Sequence, residues 1–309
     1  MPRACVNDIE LEYDIVGEGV PLVMIMGIGA QLVQWPDGLI DTLASRGFQV
    51  IRFDNRDCGL STRLDHARVP RINETLLRGL LGQPVQAPYS LVDMADDVAG
   101  LLDHLGLPTA HVLGVSLGGM VAQTMAIVHP SRLRTLTSVM STTGQRRYSI
   151  GRPRALRALL GPVPRSEEDA VARHLEFRRV CGSTGFERDV ELESTIARRA
   201  WARGYYPRGF LRQLAAVMAT GDRTHALRFV RVPTLVVHGS VDPLIPPGGG
   251  RATARAIPGA RLRLIEGMGH DLPRGVWPII ADELSAHAQA HDPAFAPGRS
   301  SASRLSARA

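Results

Sequence analysis

Residues 114–119 read Gly114-Val115-Ser116-Leu117-Gly118-Gly119. An apolar run typical of a strand, Ala110 to Leu113, precedes them, and a run typical of a helix, Met120 to Val128, follows. A Gly-x-Ser-x-Gly turn between a strand and a helix is typical of a nucleophile elbow, in which the glycines avoid a clash and tolerate a strained backbone. We therefore predict a nucleophilic serine at the N-terminus of a helix, where negative charge is favoured. The alternative is a structural glycine-rich turn with an incidental serine.

Strand-like and helix-like segments alternate on both sides of this turn. A hairpin is predicted within residues 6–16, and further strands at 21–26, 48–53, 110–115, 134–140, 234–238 and 260–265. Helices are predicted at 35–46, 90–105, 117–129 and 278–290, with Ser90 and Asp93 as a capping box for the second. This alternation predicts an α/β fold with a mostly parallel, doubly wound sheet.

The alternation breaks between residues 144 and 225, where helix-like segments rich in arginine replace buried strands. From 144 to 228 there are 17 arginines against nine acidic residues. An insertion at this point is expected to cover the carboxyl edge of the sheet as a mobile helical cap. The predicted organisation is an α/β core of residues 1–143 and 226–291, a cap of residues 144–225, and a disordered tail of residues 292–309 rich in Pro, Ser, Ala and Arg.

Composition excludes some chemistry. The 309-residue chain has a formal net charge of +6, and all 36 of its basic residues are arginine. The lack of lysine excludes Schiff-base catalysis on a lysine, including pyridoxal phosphate chemistry. A pI of about 9.9 is the usual footprint of nucleic-acid binding, but no binding motif accompanies it, and the lysine-free composition is typical of a GC-rich genome. We expect solvated arginines and no nucleic-acid partner.

The N-terminus and the cysteines bear on compartment and cofactors. Residues 1–8 show no apolar leader, and no stretch approaches the length of a membrane span. The three cysteines, Cys5, Cys58 and Cys181, are odd in number and lack the spacing of a metal site. These features predict a cytoplasmic protein with free thiols, no metal, no cofactor and no membrane partner. They leave monomer and homodimer open.

A nucleophilic serine requires a base and an acid that orients the base. In this type of fold the three follow the chain order Ser, acid, His. Asp242 lies on a short loop after the strand 234–238, and His270 lies on a glycine-containing loop after the strand that ends at Ile265. We predict that His270 takes the proton of Ser116 and later protonates the leaving group. Asp242 then holds the imidazole ring and stabilises its charged form.

Both partners also have simpler interpretations. Asp242 precedes a proline and fits an ordinary turn residue, and His270 fits an ordinary loop histidine. His238 is the nearest rival base, although it lies within or at the end of a strand. No Asp or Glu follows the strand that ends near Met140, so the alternative position for the acid is empty, which favours Asp242.

An oxyanion hole requires two backbone N–H donors. One is predicted at Leu117, directly after the nucleophile, and the other on the loop Met26 to Ala30, most simply at Ile28. The glycines of that loop allow its backbone to turn towards the substrate carbonyl. The alternative is a flexible glycine loop without such a role.

These residues resemble the α/β-hydrolase superfamily, and within it a branch of small bacterial carboxylesterases that includes anthracycline methylesterases. The resemblance covers about residues 6–290. The matching stretches are Met26 to Gln31 with Trp35-Pro36, Arg52 to Asp57 through Ser61, the turn around Ser116, and Gly267 to Pro273.

The resemblance implies an eight-stranded, mostly parallel sheet with a helical cap. It implies a catalytic triad of Ser116, Asp242 and His270 and oxyanion donors at Ile28 and Leu117. Many relatives carry His-Gly where this chain has Met26-Gly27, a departure that leaves a backbone donor intact. Structural roles are implied for Asp54, Arg56 and Ser61, and none for Cys58.

The predicted function is serine-dependent hydrolysis of small-molecule carboxylic esters through an acyl-enzyme. Serine at the turn, rather than aspartate, argues against haloalkane dehalogenases and most epoxide hydrolases. The sequence leaves open lactonase, thioesterase, carbon–carbon hydrolase and cofactor-free perhydrolase or haloperoxidase-like reactions on the same triad. A non-catalytic hydrolase-like ligand receptor is the alternative of another class.

Six aromatic residues of the predicted cap are candidates for the wall of a substrate pocket, with packing inside the cap as the alternative. They are Phe177, Phe186, Trp201, Tyr205, Tyr206 and Phe210. The excess positive charge of the same segment either attracts anionic substrates or faces solvent.

Overall fold

An eight-stranded sheet forms the centre of the molecule in the computed structural model, which describes residues 1–295. Its strands are β1 (Arg3–Val6), β2 (Ile9–Val16), β3 (Val20–Ile25), β4 (Phe48–Phe53), β5 (Ala110–Val115), β6 (Leu133–Val139), β7 (Thr234–Gly239) and β8 (Arg261–Ile265). Their spatial order is β1-β2-β4-β3-β5-β6-β7-β8. The pairs β1–β2 and β2–β4 are antiparallel, and all other neighbours are parallel. The predicted mostly parallel, eight-stranded sheet is confirmed.

The order of the strands reverses between β3 and β5. From β3 the chain continues to β4 on one side, whereas β5 to β8 follow one another on the other side. Ile25 of β3 pairs with Gly114 of β5 in parallel register. Open α/β sheets bind ligands at the carboxyl ends of the strands where the order reverses. The loops after Ile25 and Val115 therefore begin side by side at the favoured place for a site.

Residues 1–295 form twelve α-helices. They are α1 (Asp37–Ser45), α2 (Ile72–Leu81), α3 (Leu91–His104), α4 (Leu117–Val128), α5 (Arg146–Ser149), α6 (Pro153–Leu159), α7 (Glu167–Cys181), α8 (Val190–Ala202), α9 (Pro207–Thr220), α10 (Thr224–Leu227), α11 (Pro247–Ala256) and α12 (Trp277–His291). Helices α5 to α9 belong to the segment 144–225, which we call the insertion.

Apolar side chains fill the space on both faces of the sheet. Along β3, Leu22 and Met24 join one buried cluster, and Val23 and Ile25 join the other. Helices α3 and α4 cover the face of Val23, while α1 and α12 cover the face of Leu22. A strand covered on both faces is apolar throughout, which explains why residues 20–25 read as one continuous hydrophobic run.

The sequence contains a clear signal for the start of helix α3 but none for helix α11. The capping box of α3 is present, since Ser90 accepts from the Asp93 amide and Asp93 accepts from the Ser90 amide. Helix α11 had no indication in the sequence because it begins with glycines. A Cβ atom at Gly250 would lie 2.6 Å from Nδ1 of His238, so close packing on β7 requires glycine there and overrides its low helix propensity.

The chain after α12 departs from the prediction of a tail from residue 292. Asp292 accepts a hydrogen bond from Arg134 at 2.7 Å, and Phe295 stacks on Phe48 with ring centroids 4.7 Å apart. Packed chain therefore continues to residue 295, and the rest of the predicted tail, 296–309, lies outside the described residues. Among residues 1–295, no helix combines the length and the apolar character needed to cross a membrane.

Candidate active site

Ser116 forms the turn between β5 and α4, as predicted. Its backbone has φ of +55° and ψ of −119°, a conformation that non-glycine residues rarely adopt. A Cβ atom at Gly114 would lie 2.0 Å from the carbonyl oxygen of Gly118, and one at Gly118 would lie 2.0 Å from the carbonyl oxygen of Ile25. Close backbone contacts on both sides therefore require these glycines, and they hold Ser116 in its strained turn.

Asp242, His270 and Ser116 form one hydrogen-bonded chain. His270 Nε2 lies 3.1 Å from Ser116 Oγ, and His270 Nδ1 lies 2.7 Å from Asp242 Oδ2. The second carboxylate oxygen of Asp242 accepts from the amides of Leu244 and Ile245 at 2.8 Å and 2.9 Å. The carboxylate is thus fixed by its own loop and orients the imidazole ring towards the serine.

The rival histidine, His238, makes different contacts. It lies within β7, and its Nε2 bonds to the carbonyl oxygen of Ile245 at 2.9 Å. The same nitrogen is 3.6 Å from Asp242 Oδ2, on the carboxylate that holds His270. Burial lowers the pKa of His238, so its ring stays neutral at neutral pH. The ring that meets Ser116 is His270.

The two predicted oxyanion donors lie beside Ser116. Leu117 is the first residue of α4, and the first amides of a helix have no partner within it. A Cβ atom at Gly27 would lie 3.4 Å from Cβ of Ser116, so the loop after β3 passes against the serine. Among residues 1–295, neither Ile28 nor Leu117 uses its N–H in an internal hydrogen bond. The two amides thus meet the first requirement of the predicted oxyanion hole, which is that neither is already bound within the protein.

The insertion holds the loop that carries His270. The His270 amide donates to the carbonyl oxygen of Cys181 at 2.7 Å, and the Gly269 amide donates to Ser183 Oγ at 2.9 Å. Asp271 accepts from the amide and the hydroxyl of Ser183 at 2.9 Å and 2.5 Å. Ser183 and Asp271 could not be singled out beforehand, because no motif or strand end in the sequence indicates that these two residues, 88 positions apart, meet.

The insertion also contacts the loop after β3. The side-chain amide of Gln31 donates to the carbonyl oxygens of Ala200 and Gly204 at 2.8 Å and 3.0 Å. Its oxygen accepts from Arg203 at 2.9 Å, and Arg203 pairs with Asp54 at 2.9 Å. Two loops of the site are therefore tied to the segment that covers them.

The segment Asp54 to Ser61 makes structural contacts, in agreement with the roles that the resemblance implied. Asp54 accepts from the Leu32 amide at 2.7 Å, and the Ser61 hydroxyl donates to the Asp54 carbonyl at 2.6 Å. Arg56 forms two hydrogen bonds of 2.6 Å with the carboxylate of Asp97. These contacts brace the turn after β4.

A cavity of about 280 Å³ lies against Ser116 and His270, between the core and the insertion. Five of the six candidate aromatic residues line it: Phe177, Trp201, Tyr205, Tyr206 and Phe210. Phe186 was a wrong candidate, because its ring packs against the core cluster instead of the cavity. The ring also lies against Gly275, where a Cβ atom would be 2.7 Å from Cδ1 of Phe186. The wall also includes His174 and Arg178, which the sequence did not single out.

Two thiols and one imidazole near the cavity are held in their neutral forms. Burial raises the pKa of the Cys58 thiol, and it raises the pKa of Cys181 to about 12. Thiolate chemistry is disfavoured in such surroundings. Enclosure in the protein lowers the pKa of His174 to about 3, with Arg178 and Arg188 adding to the effect. Within residues 1–295, no three His, Cys, Asp or Glu side chains come together as a possible metal site.

Comparison with known proteins agrees with this architecture. The family model described as alpha/beta hydrolase fold matches residues 20–273. The chain is 29% identical to rhodomycin D methylesterase DnrP of Streptomyces peucetius, covering 94% of this chain and 99% of that protein. It is 30% identical to a poly(3-hydroxyalkanoate) depolymerase of Ectopseudomonas oleovorans, covering 80% and 76%.

A solved structure is similar at the level of the fold. The enol-lactonase from Burkholderia xenovorans superposes with a TM-score of 0.70 at 22% identity, covering 93% of this chain and all of that one. The family match includes Ser116, Asp242 and His270 and extends over most of the chain. The protein therefore belongs to the α/β-hydrolase fold family.

Proposed function

We propose that the protein is a carboxylic ester hydrolase that acts through Ser116 and a covalent acyl-enzyme. The observation that carries the proposal is the hydrogen-bonded chain from Asp242 through His270 to Ser116, beside two free backbone amides. A receptor that only binds its ligand has no need of this arrangement, which argues against the non-catalytic alternative.

In the acylation step, Ser116 Oγ attacks the carbonyl carbon of the ester while His270 Nε2 takes the hydroxyl proton. The negative charge that develops on the carbonyl oxygen is stabilised by the N–H groups of Ile28 and Leu117. The imidazolium of His270, stabilised by Asp242, then donates its proton to the alkoxy oxygen. The C–O bond breaks, the alcohol leaves and the acyl group stays on Ser116.

Deacylation repeats the same steps with water. His270 takes a proton from the water molecule, whose oxygen attacks the acyl carbon. The tetrahedral intermediate again places its oxyanion towards Ile28 and Leu117. When it collapses, His270 returns the proton to Ser116 Oγ and the carboxylic acid is released.

We infer that the insertion acts as the cap of this site and selects the substrate. Its helices α6 to α9 supply much of the cavity wall, and the cavity volume of about 280 Å³ suits a small to medium-sized molecule. The aromatic side chains offer flat apolar faces, which favour a planar or apolar part of the substrate. Similarity to a rhodomycin D methylesterase supports methyl esters as substrates to test first.

The test compares wild type with Ser116→Ala on p-nitrophenyl esters of graded acyl length and on methyl esters of polycyclic acids. We expect wild type to hydrolyse members of the panel, and Ser116→Ala to lose at least about 10³-fold in kcat with an unchanged circular dichroism spectrum. Near-wild-type hydrolysis by pure Ser116→Ala protein contradicts the proposal. A wild type inert to every ester and to a fluorophosphonate favours the receptor. If wild type opens lactones or carries out peroxide-dependent perhydrolysis faster than it hydrolyses esters, the same triad serves a lactonase or a perhydrolase instead.

A further inference from the structure

A buried glutamine of the insertion contacts the loop that carries Ile28. Gln213 lies on α9 and has no exposed surface. Its Oε1 accepts a hydrogen bond from the Gly29 N–H at 2.7 Å, and its Nε2 donates to the carbonyl oxygen of Arg56 at 2.8 Å. A carbonyl oxygen only accepts, so the side-chain NH₂ faces Arg56 and the side-chain oxygen faces Gly29.

The contact fixes the middle peptide of a β-turn. Gly27 to Ala30 form this turn, which is closed by a hydrogen bond of 3.2 Å from the Ala30 amide to the Gly27 carbonyl. Gly29 is its third residue, with φ of +65°. Rotation of the middle peptide distinguishes the common turn types, and glycine allows either sign of φ. The Gly29 N–H belongs to that peptide, directly after Ile28.

We propose that Gln213 is a positioning residue for the oxyanion hole: by holding the Gly29 amide, it keeps the Ile28 N–H directed at the carbonyl oxygen of the substrate. The inference rests on the proposed function. Oxyanion donors act well because they are oriented before the reaction and need no rearrangement during it. The insertion therefore contributes to the rate of the chemical step as well as to substrate fit.

Helix α9 is anchored to the core independently of Gln213. The guanidinium of Arg212 pairs with Asp57 at 3.0 Å, and both side chains are fully buried. A Cβ atom at Gly209 would lie 1.9 Å from the carbonyl oxygen of Asp57, so the backbones touch at this point. A substitution at Gln213 therefore removes its own hydrogen bonds and leaves α9 in place.

The test substitution is Gln213→Met, which keeps the length of the side chain and removes both hydrogen bonds. Methionine offers no oxygen to the Gly29 amide, which therefore loses its acceptor within the protein. We expect kcat on p-nitrophenyl acetate to fall about tenfold to a hundredfold, the scale of a misplacement near 1 Å, while KM changes less than about threefold. A boronic acid that mimics the tetrahedral intermediate should bind more weakly by the same factor as kcat/KM.

Gln123→Met is the matched control. Gln123 is also fully buried, donates to Ser138 Oγ at 3.0 Å and accepts from Arg223 at 3.3 Å, but it makes no hydrogen bond to the turn Gly27 to Ala30 among the described residues. Both substitutions remove hydrogen bonds of a buried glutamine and should lower the free energy of unfolding, and Gln123→Met should lower it at least as much because it also removes an acceptor of the buried Arg223 guanidinium. Only Gln213→Met should change kcat and boronic acid affinity by more than about threefold.

The failures of the two proposals can be separated. Folded Gln213→Met protein with wild-type kcat, or equal kcat losses in both variants, overturns the positioning role of Gln213. A wild type without esterase activity overturns the proposed function instead. If Gln213→Met does not fold, Gln213→Asn is used instead. Its side chain is one methylene shorter, so its amide oxygen lies farther from the Gly29 N–H. The same fall in kcat at constant KM is then expected, and full activity contradicts the inference.

Discussion

The sheet core and the helical insertion contribute to the candidate site in different ways. The core supplies Ser116, Asp242 and His270 from the loops after β5, β7 and β8. The insertion supplies none of them, yet it forms much of the cavity wall and holds two of the loops through Ser183 and Gln213. The comparison teaches that the reacting groups are fixed by local backbone geometry, whereas their alignment depends on contacts between distant parts of the chain.

The largest effects are expected from changes to the hydrogen-bonded series of Asp242, His270 and Ser116, which belongs to the core. Asp242→Asn keeps the size of the side chain but removes the charge that orients His270 and stabilises its protonated form. We expect kcat to fall on the order of 10³-fold to 10⁴-fold, measured by initial rates on p-nitrophenyl acetate. The control His238→Gln replaces the other imidazole ring near the same carboxylate. Its kcat should stay within about tenfold of the wild-type value. A larger loss in His238→Gln would show that the base is misassigned.

A second comparison concerns glycines of the two regions. A Cβ at Gly118 meets the Ile25 carbonyl at 2.0 Å, whereas a Cβ at Gly161 in the insertion has its nearest neighbour at 3.4 Å. Gly118→Ala should therefore lower the free energy of unfolding by at least about 2 kcal/mol and abolish most activity. The free energy of unfolding of Gly161→Ala should stay within about 1 kcal/mol of the wild-type value. The free energy of unfolding of both variants is measured by urea denaturation. Equal losses in the two variants would contradict the claim that close local backbone contacts hold the turn at Ser116.

A smaller effect is expected from the charge of the insertion. Arg178 lines the cavity with 17% of its side chain exposed and lies 3.7 Å from Glu193, whereas Arg179 is 51% exposed and pairs with Glu176 at 2.6 Å. Arg178→Met should raise KM for a p-nitrophenyl ester that carries a carboxylate about threefold to fivefold and leave a neutral ester unchanged. Arg179→Met is the control and should affect neither ester.

Salt dependence checks the same prediction in wild type. Attraction of an anionic ester weakens as ionic strength rises, whereas a neutral ester of similar size has no such term. If kcat/KM responds equally to salt for both esters, the arginines of the insertion play no part in substrate selection.

The smallest effects concern acid stability, for which we compare one enclosed histidine of the core, His111, with one of the insertion, His174. The pKa of His111 in the core is lowered to about 4, and that of His174 in the insertion to about 3, mainly because burial disfavours the charged ring. The unfolded chain takes up these protons near the ordinary value of 6.5, before the folded protein does. It therefore holds more protons between about pH 6.5 and 4, and stability falls as the pH falls through this window.

Replacement of either histidine should flatten this dependence. The free energy of unfolding of His111→Gln and of His174→Gln, measured by urea denaturation at several pH values from 7 to 4.5, should change less with pH than that of wild type. A slope equal to that of wild type in both variants would exclude these rings as its source.

The sheet and the meeting of Ser116, Asp242 and His270 could be predicted because the signals for them are local. The glycines around Ser116 are needed within one turn, and Asp242 and His270 each follow a recognisable apolar strand. Gln213 and Ser183 could not be predicted, because no motif marks them and periodicity does not tell which helix face meets which loop. Phe186 and Phe295 were misjudged for the same reason, since tertiary packing decides what an aromatic side chain contacts.

Covalent modification of Ser116 is the most direct test of the proposed chemistry. The protein is mixed with a fluorophosphonate or quenched during turnover of p-nitrophenyl acetate, then digested and analysed by mass spectrometry. We expect one adduct per chain, on the peptide that contains Ser116, with activity lost in proportion to labelling. The adduct should be absent in Ser116→Ala and form much more slowly in Asp242→Asn. An active enzyme whose Ser116 stays unmodified, or an inactivating adduct on another residue, would contradict the assignment of Ser116 as the nucleophile.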